Sequence, residues 1–279
     1  MTRPVIVAEM SCNHLGSLDR AMAIVDAAAD AGADAIKFQL FDPRKMAPDG
    51  MVIAAGPWKG ANARELYWQA MTPREWFVPM INRAYERGIE WFSSVFDIDG
   101  IVFLESIGCP RYKISSFEIV DLALIRAVAT TRKAMVISTG MATQREIQEA
   151  AVAADGTKHL TLLKCTSAYP APDTDINLAV MRWLGCFPRC DGVGISDHTH
   201  GSAIAVAATA LGATMIEKHL TLLRSDGGPD AAFSMEPHEF ADMVVQCRRA
   251  SDAIGAVRYG PTESEKPQTQ LRGRTLMHG

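Results

Sequence analysis

Four lysines lie within short apolar runs that otherwise carry few charges: Lys37 in Ala35–Phe41, Lys113 in Arg111–Ser116, Lys164 in Leu160–Thr166 and Lys218 in Met215–Thr221. An ammonium group in such a setting is costly to desolvate unless it meets an anion. The set therefore predicts a phosphorylated or carboxylated ligand, because the neighbouring acids Glu9, Glu118 and Glu217 can neutralise only some of it. Ser94, Ser116, Ser138, Ser167 and Ser196 fall at or just past the ends of runs of the same kind. One such serine is ordinary capping, whereas a ring of small donors suits a phosphate. His198 and His219 lie at the ends of two neighbouring runs, the seventh and eighth, and adjacent strands lie about 4.8 Å apart, so both imidazoles can reach one divalent first-row metal. Asp197 and Glu217, each beside a histidine, are candidates to ligate that ion or to orient its ligands.

The elements that must carry these residues alternate in type. Eight strand-like runs, Val5–Ser11, Ala35–Phe41, Glu90–Phe96, Arg111–Ser116, Ala134–Thr139, Leu160–Thr166, Val193–His198 and Met215–Thr221, are each followed by a segment able to form a helix. That alternation is the pattern of a parallel α/β fold. Eight β-then-α units predict a single (β/α)8 TIM barrel, which typically takes about 250 residues. Thr72-Pro73-Arg74-Glu75 and Thr143-Gln144-Arg145-Glu146 read as helix starts with capping boxes. Gly32, Gly88, Gly108 and Gly212 read as helix stops. Leu18, Met22, Val25 and Ala29 form the predicted core stripe of the first helix. The long connections Asp42–Met71 and Leu222–Met235 both follow strands, the side of a barrel on which active sites are built. Residues 1–255 are assigned to the barrel and 256–279 to a polar linker or tail.

Composition narrows the function classes. Of 279 residues, 48% are hydrophobic and 22% charged, the balance of an ordinary globular domain, and the formal charge of −4 argues against a nucleic-acid partner or an acidic membrane surface. Six cysteines in this length are too sparse for a secreted disulfide framework. No apolar run reaches a membrane span, and Val5–Met10 is too short for a signal peptide, so a cytoplasmic location is expected.

Seven stretches resemble one family in order along the chain. They are Ala8-Glu9-Met10-Ser11-Cys12-Asn13-His14-Leu15-Gly16-Ser17, Gly32-Ala33-Asp34-Ala35-Ile36-Lys37-Phe38-Gln39, Lys113-Ile114-Ser115-Ser116-Phe117-Glu118, Ser138-Thr139-Gly140-Met141, Lys164-Cys165-Thr166-Ser167-Ala168-Tyr169-Pro170, Ser196-Asp197-His198 and Glu217-Lys218-His219. Together they resemble the nonulosonic (sialic) acid synthases. Gly56-Pro57-Trp58 through Glu65-Leu66-Tyr67, Thr72 through Trp76, Gly227 through Ser234, and Ser167 lean toward the pseudaminic acid synthase branch. The resemblance implies condensation of phosphoenolpyruvate with an open-chain N-acetylated amino sugar, releasing phosphate and forming a nine-carbon 2-keto-3-deoxy acid.

It also implies roles. Lys113, Ser116, Ser138, Ser167 and Ser196 would hold the phosphate, with Lys37 and Ser94 near the carboxylate. His198 and His219 would hold Mn2+, or Mg2+ or Co2+ in its place. Glu9 and Glu118 would move protons or position water and sugar, and Gln39, Tyr169 and Asp230 would bind the sugar. Family members continue into a small C-terminal antifreeze-like domain that completes a swapped homodimer. Arg272-Gly273-Arg274-Thr275-Leu276 resembles the opening of that domain.

Other readings stay open at this level. One is that the amino sugar is that of a neuraminate or legionaminate synthase instead. Lys164, on the sixth strand, is placed where a Schiff-base aldolase carries its lysine. A non-catalytic relative that only binds phosphoenolpyruvate is the third.

Overall fold

The computed structural model describes residues 3–272, in which eight parallel strands close on themselves with no free edge. The strands are β1 Val5–Glu9, β2 Ala35–Leu40, β3 Glu90–Val95, β4 Arg111–Ile114, β5 Ala134–Ser138, β6 Leu160–Cys165, β7 Gly192–Asp197 and β8 Met215–His219. Parallel neighbours require a crossover, and the helices supply it: α1 Leu18–Asp30, α2 Pro43–Met46, α3 Ala63–Ala70, α4 Phe77–Glu86, α5 Ile98–Ser106, α6 Leu122–Thr130, α7 Gln144–Ala153, α8 Val180–Leu184, α9 Ala203–Ala210 and α10 Pro237–Ile254. The single (β/α)8 barrel expected from the sequence is the observed fold.

Local chemistry explains most boundaries. Ser17 caps α1 by accepting from the Arg20 amide, and Thr143 with Glu146 forms the expected capping box of α7. Gly32 and Gly212 stop their helices at φ +82° and +93°, a region that disfavours residues with a Cβ. Three expectations need correction. Thr72 does not cap a helix: Arg74–Trp76 forms a single 3-10 turn before α4, and the Thr72 hydroxyl lies 3.3 Å from His14 Nε2 instead. The connection Asp42–Met71 is not an open loop but folds α2 and α3 within it, the latter capped by Asn62. The stripe of α1 that is fully buried runs through Ala21, Ile24, Val25 and Ala28, with Leu18, Met22 and Ala29 on its flanks.

Strand pleating decides which side chains enter the barrel. Val7, Ala35, Phe92, Val136, Leu163 and Met215 form one apolar layer across the interior, separate from the cluster between strands and helices. Residues two further along each strand share its inward side. That layer is therefore the floor of a chamber opening at the C-terminal ends of the strands. Of the stretch from Arg272 to Leu276, all but Arg272 lies outside the described residues, as do residues 277–279.

Candidate functional site

The inward positions above the floor are Glu9, Lys37, Gln39, Ser94, Lys113, Ser138, Cys165, Ser196, Glu217 and His219, joined by register: Glu9 faces Lys37 and His219, Gln39 faces Ser94, Ser94 faces Lys113, and Cys165 faces Ser196, which faces Glu217. Lys37 and Lys113 are each 3% exposed. Lys164 and Lys218 have the opposite parity, in register with Ile195 and Asp197. The ring of four lysines is thus two. Lys164 donates to the Cys165 carbonyl at 2.6 Å and Thr166 Oγ1 at 3.0 Å. Lys218 donates to Asp197 Oδ2 at 2.7 Å and the Thr199 carbonyl at 2.6 Å, so Asp197 points away from the histidines and does not ligate beside them.

Glu217 spends its carboxylate on the lysines and not on a histidine, and is the hub of the chamber. Lys113 Nζ and Ser196 Oγ each donate to its Oε1 at 2.9 Å, and Lys37 Nζ lies 3.9 Å from its Oε2. Lys37 also pairs with Glu9 and donates to Ser94 Oγ at 3.0 Å. Two carboxylates compete for two ammonium groups. Burial opposes the charge of Glu217, yet Lys113 and Lys37 outweigh it and hold the carboxyl at about 2. At Glu9 burial wins over Lys37, Glu217 adds repulsion, and the carboxyl is raised. Burial lowers Lys113, while Glu217 and Glu9 keep Lys37 raised against it.

The serines divide into two groups. Ser94 and Ser196 belong to the lysine network. Ser116, Ser138 and Ser167 lie at the ends of the neighbouring strands β4, β5 and β6, where Gly140 fits two of them together: a Cβ there would stand 2.3 Å from Ser167 Oγ and 2.7 Å from Ser116 Oγ. The Gly140 amide donates to Ser116 Oγ at 3.0 Å. Ser138 Oγ is buried with no hydrogen-bond partner among the described residues, a position that a polar ligand would satisfy.

At the mouth, the His198 and His219 rings are 5.3 Å apart. His198 Nδ1 lies 3.0 Å from the Thr166 carbonyl, which can only accept, so Nδ1 carries the hydrogen and Nε2 is left as the outer atom. His219 Nδ1 is buried without a partner, 3.7 Å from Asp230 Oδ2. Burial first, then His198, keeps the His219 imidazole neutral, as a ligand must be. These features fit a metal held by two imidazoles. Among the described residues no group of three His, Cys, Asp or Glu is arranged to hold an ion.

Gln39 donates to Glu9 Oε1 at 2.9 Å and to Ser11 Oγ at 3.1 Å, and Ser11 donates in turn to Asp230 Oδ2 at 2.5 Å. Ser11 thus links Gln39 to Asp230 and was missed by the sequence reading, although it sits in the first motif. Cys165 was missed as well. Burial opposes its ionisation, but His198 at 3.9 Å, Ser116 and Lys113 bring the thiol down to about 7. Only strand parity could have found it. The Tyr169 ring packs 4.4 Å from the His198 ring, tilted by 46°. Glu118 stands apart: it is half-buried at the rim, accepts from Ser115 Oγ, and is raised chiefly by burial.

An anion chamber beside a metal-competent histidine pair, at the C-terminal face of a closed barrel, defines a class of (β/α)8 enzyme built for small phosphorylated or carboxylated substrates. The chain belongs to the NeuB family, whose profile, described as "NeuB family", matches residues 24–259. It is 41% identical over 273 residues to the pseudaminic acid synthase of Helicobacter pylori, an alignment covering 94% of this chain and 79% of that protein. It is 35% identical over 285 residues to the N,N'-diacetyllegionaminic acid synthase of Campylobacter jejuni, covering 99% and 85%. The fold matches the N-acetylneuraminic acid (sialic acid) synthetase of Leptospira borgpetersenii, crystallised with citrate, at a TM-score of 0.86 and 31% identity, over 99% of this chain and 93% of that one. No helix among the described residues is long and apolar enough to cross a membrane.

Proposed function

We propose that the protein condenses phosphoenolpyruvate with an open-chain N-acetylated amino sugar, releasing phosphate and forming a nonulosonic acid of the pseudaminic type. The observation that carries this reading is one chamber holding two inward lysines, a serine cradle at Gly140 and the histidine pair. Phosphoenolpyruvate is a double anion. Lys113, Ser116, Ser138, Ser167 and Ser196 hold its phosphate, while Lys37 and Ser94 hold its carboxylate. The acetamido sugar lies above, against Gln39, Tyr169 and Asp230. The pseudaminic assignment of the acceptor is supported by 41% identity to the Helicobacter pylori pseudaminic acid synthase.

His198 and His219 would hold a divalent metal, Mn2+ or in its place Mg2+ or Co2+, and such an ion would supply Lewis acidity at the sugar aldehyde. Carbon three of the enol forms a bond to the aldehyde carbon, and the electron pair of the carbonyl becomes an alkoxide. Glu9, raised by burial, gives that oxygen its proton. The positive charge left at carbon two is captured by water, and the emptied Glu9 carboxylate takes the water's proton. In the resulting tetrahedral centre the carbon-two hydroxyl becomes the ketone as the bond from carbon two to the phosphate oxygen breaks, and its proton leaves with the phosphate. Glu217, pinned between Lys113 and Lys37, is too weak a base for these steps and instead holds both ammonium groups in place. Glu118 at the rim is the second proton-transfer candidate.

The Schiff-base reading loses its geometry, since Lys164 is turned out of the chamber and engaged by Cys165 and Thr166. Turnover in 18O-labelled water tests the order of bonds. Phosphate released without label is expected; labelled phosphate would mean attack at phosphorus and overturn the scheme.

A further inference from the structure

The register between β7 and β8 ends at Asp197 opposite Lys218, so His198 is the first residue beyond it, whereas His219 is still paired with Glu9 of β1. Backbone that leaves a ladder loses the bonds that fix its path. The hydrogen bonds of His198 itself run away from β8: its carbonyl accepts from the Ala171 amide at 3.0 Å, and its Nδ1 lies 3.0 Å from the Thr166 carbonyl, both in the loop after β6. The link from His198 to the strand of its partner histidine must come from elsewhere.

Lys218 supplies it. Its ammonium group donates to Asp197 Oδ2 at 2.7 Å and to the Thr199 carbonyl at 2.6 Å, the residues on either side of His198. Asp197 Oδ1 closes the turn from within, accepting from the Thr199 amide at 2.9 Å and the Thr199 hydroxyl at 2.8 Å. Asp197 and Lys218 are 1% exposed and Thr199 is fully buried. The turn that carries His198 is thereby fastened to β8 through the residue immediately before His219. An ion pair is a poor device here if stability alone is served, because apolar side chains of the same volume hold a core at least as well. What they lack is direction. An ammonium group with two fixed acceptors, one of them on the backbone, sets the path of the chain, and metal-to-ligand distances are defined to about 0.2 Å.

We infer that Lys218 is a positioning residue for the metal centre: with Asp197 and Thr199 it brackets His198 and holds that imidazole where it can share one ion with His219. The inference rests on the metal reading proposed above and adds to it what fixes the two ligands relative to each other. Lys37 and Lys113, which face the chamber, take no part in the bracket.

The test measures Mn2+ affinity from the electron paramagnetic resonance signal of the free ion, in the unchanged protein, Lys218→Met, and Lys218→Met with Asp197→Asn. The double variant leaves no unpaired buried charge, so it separates lost direction from lost stability. Thermal melting, and phosphoenolpyruvate affinity by calorimetry without metal, are followed alongside. Both variants should bind Mn2+ about tenfold more weakly or worse. The double variant should melt above the single one and keep its Kd for phosphoenolpyruvate within about twofold. A folded double variant whose Mn2+ affinity stays within about threefold of the unchanged protein overturns the inference. So does one that loses phosphoenolpyruvate and Mn2+ affinity alike, since general distortion of the barrel would then account for both. Should neither variant fold, Thr199→Val, which deletes one bond of the turn at nearly constant volume, takes their place; a loss of about threefold is expected, and an unchanged affinity overturns the inference. His198→Gln and His219→Gln check the reading beneath it: if neither lowers Mn2+ affinity, the ion is not held by this pair, and the role of Lys218 falls with that reading.

Discussion

Lys113 and Glu217 meet across the barrel interior at 2.9 Å, from β4 and β8, with both side chains almost wholly removed from water. Strands that are not neighbours are thereby joined through the chamber, and Ser196 and Lys37 share the same carboxylate. A buried pair of this kind costs most when one partner is removed and the other keeps its charge. Lys113→Met should destabilise the fold by roughly 3–5 kcal/mol, and Lys113→Met with Glu217→Gln by distinctly less. Urea unfolding of the single and double variants measures this, and equal losses in both would contradict it.

Gly140 is required for space. Its backbone φ is not in the left-handed region, so Ala is tolerated by the chain itself, but its methyl group would displace the hydroxyls of Ser116 and Ser167. Gly140→Ala should raise KM for phosphoenolpyruvate at least tenfold while leaving the melting temperature within a few degrees. Initial-rate kinetics over phosphoenolpyruvate concentration decide it; an unaltered KM would remove these serines from the phosphate site.

His14 fixes the start of the barrel's upper rim to the insertion after β2. Its Nδ1 accepts from the Gly16 amide at 3.1 Å, its Nε2 lies 3.3 Å from Thr72 Oγ1, and its ring packs edge-on against Trp76. Burial lowers it from 6.5 to about 4. The folded state thus prefers the neutral imidazole, so the stabilisation is complete above pH 6.5 and declines as pH falls from there to about 4. The full difference is roughly 3 kcal/mol. Denaturant unfolding at pH 7, 5.5 and 4.5 should show His14→Gln losing less stability than the unchanged protein across this window; parallel curves would contradict the assignment.

Lys164 is expected to be dispensable for chemistry. Its ammonium group is spent on the Cys165 carbonyl and Thr166 Oγ1 outside the chamber. Lys164→Met should keep turnover within about threefold, and borohydride with a keto acid should trap no adduct. Mass spectrometry of the intact protein reads the second result directly.

The sequence revealed strand existence better than strand orientation. All eight runs were recognisable because each is apolar and followed by a helical segment, and the observed bounds agree within two residues. His198 and His219 were legible as strand-end neighbours for the same reason. Parity was not legible. Barrel strands are buried on both faces, so no polar alternation marks the inward side, and Lys37 and Lys218 look alike in sequence although one enters the chamber and the other pairs with Asp197 behind it. The hub role of Glu217 and the presence of Cys165 in the chamber were hidden by that same ambiguity. Trp58 and Pro229, separated by 171 positions, could be brought together only by the closed fold.

Phosphate release from phosphoenolpyruvate, measured with Mn2+ and 2,4-diacetamido-2,4,6-trideoxy-L-altrose, tests the proposed condensation most directly. Release should require the sugar, stop when EDTA is added, and return when Mn2+ is restored in excess. A folded protein that binds phosphoenolpyruvate yet releases no phosphate with this sugar or with N-acetylmannosamine would contradict the condensation.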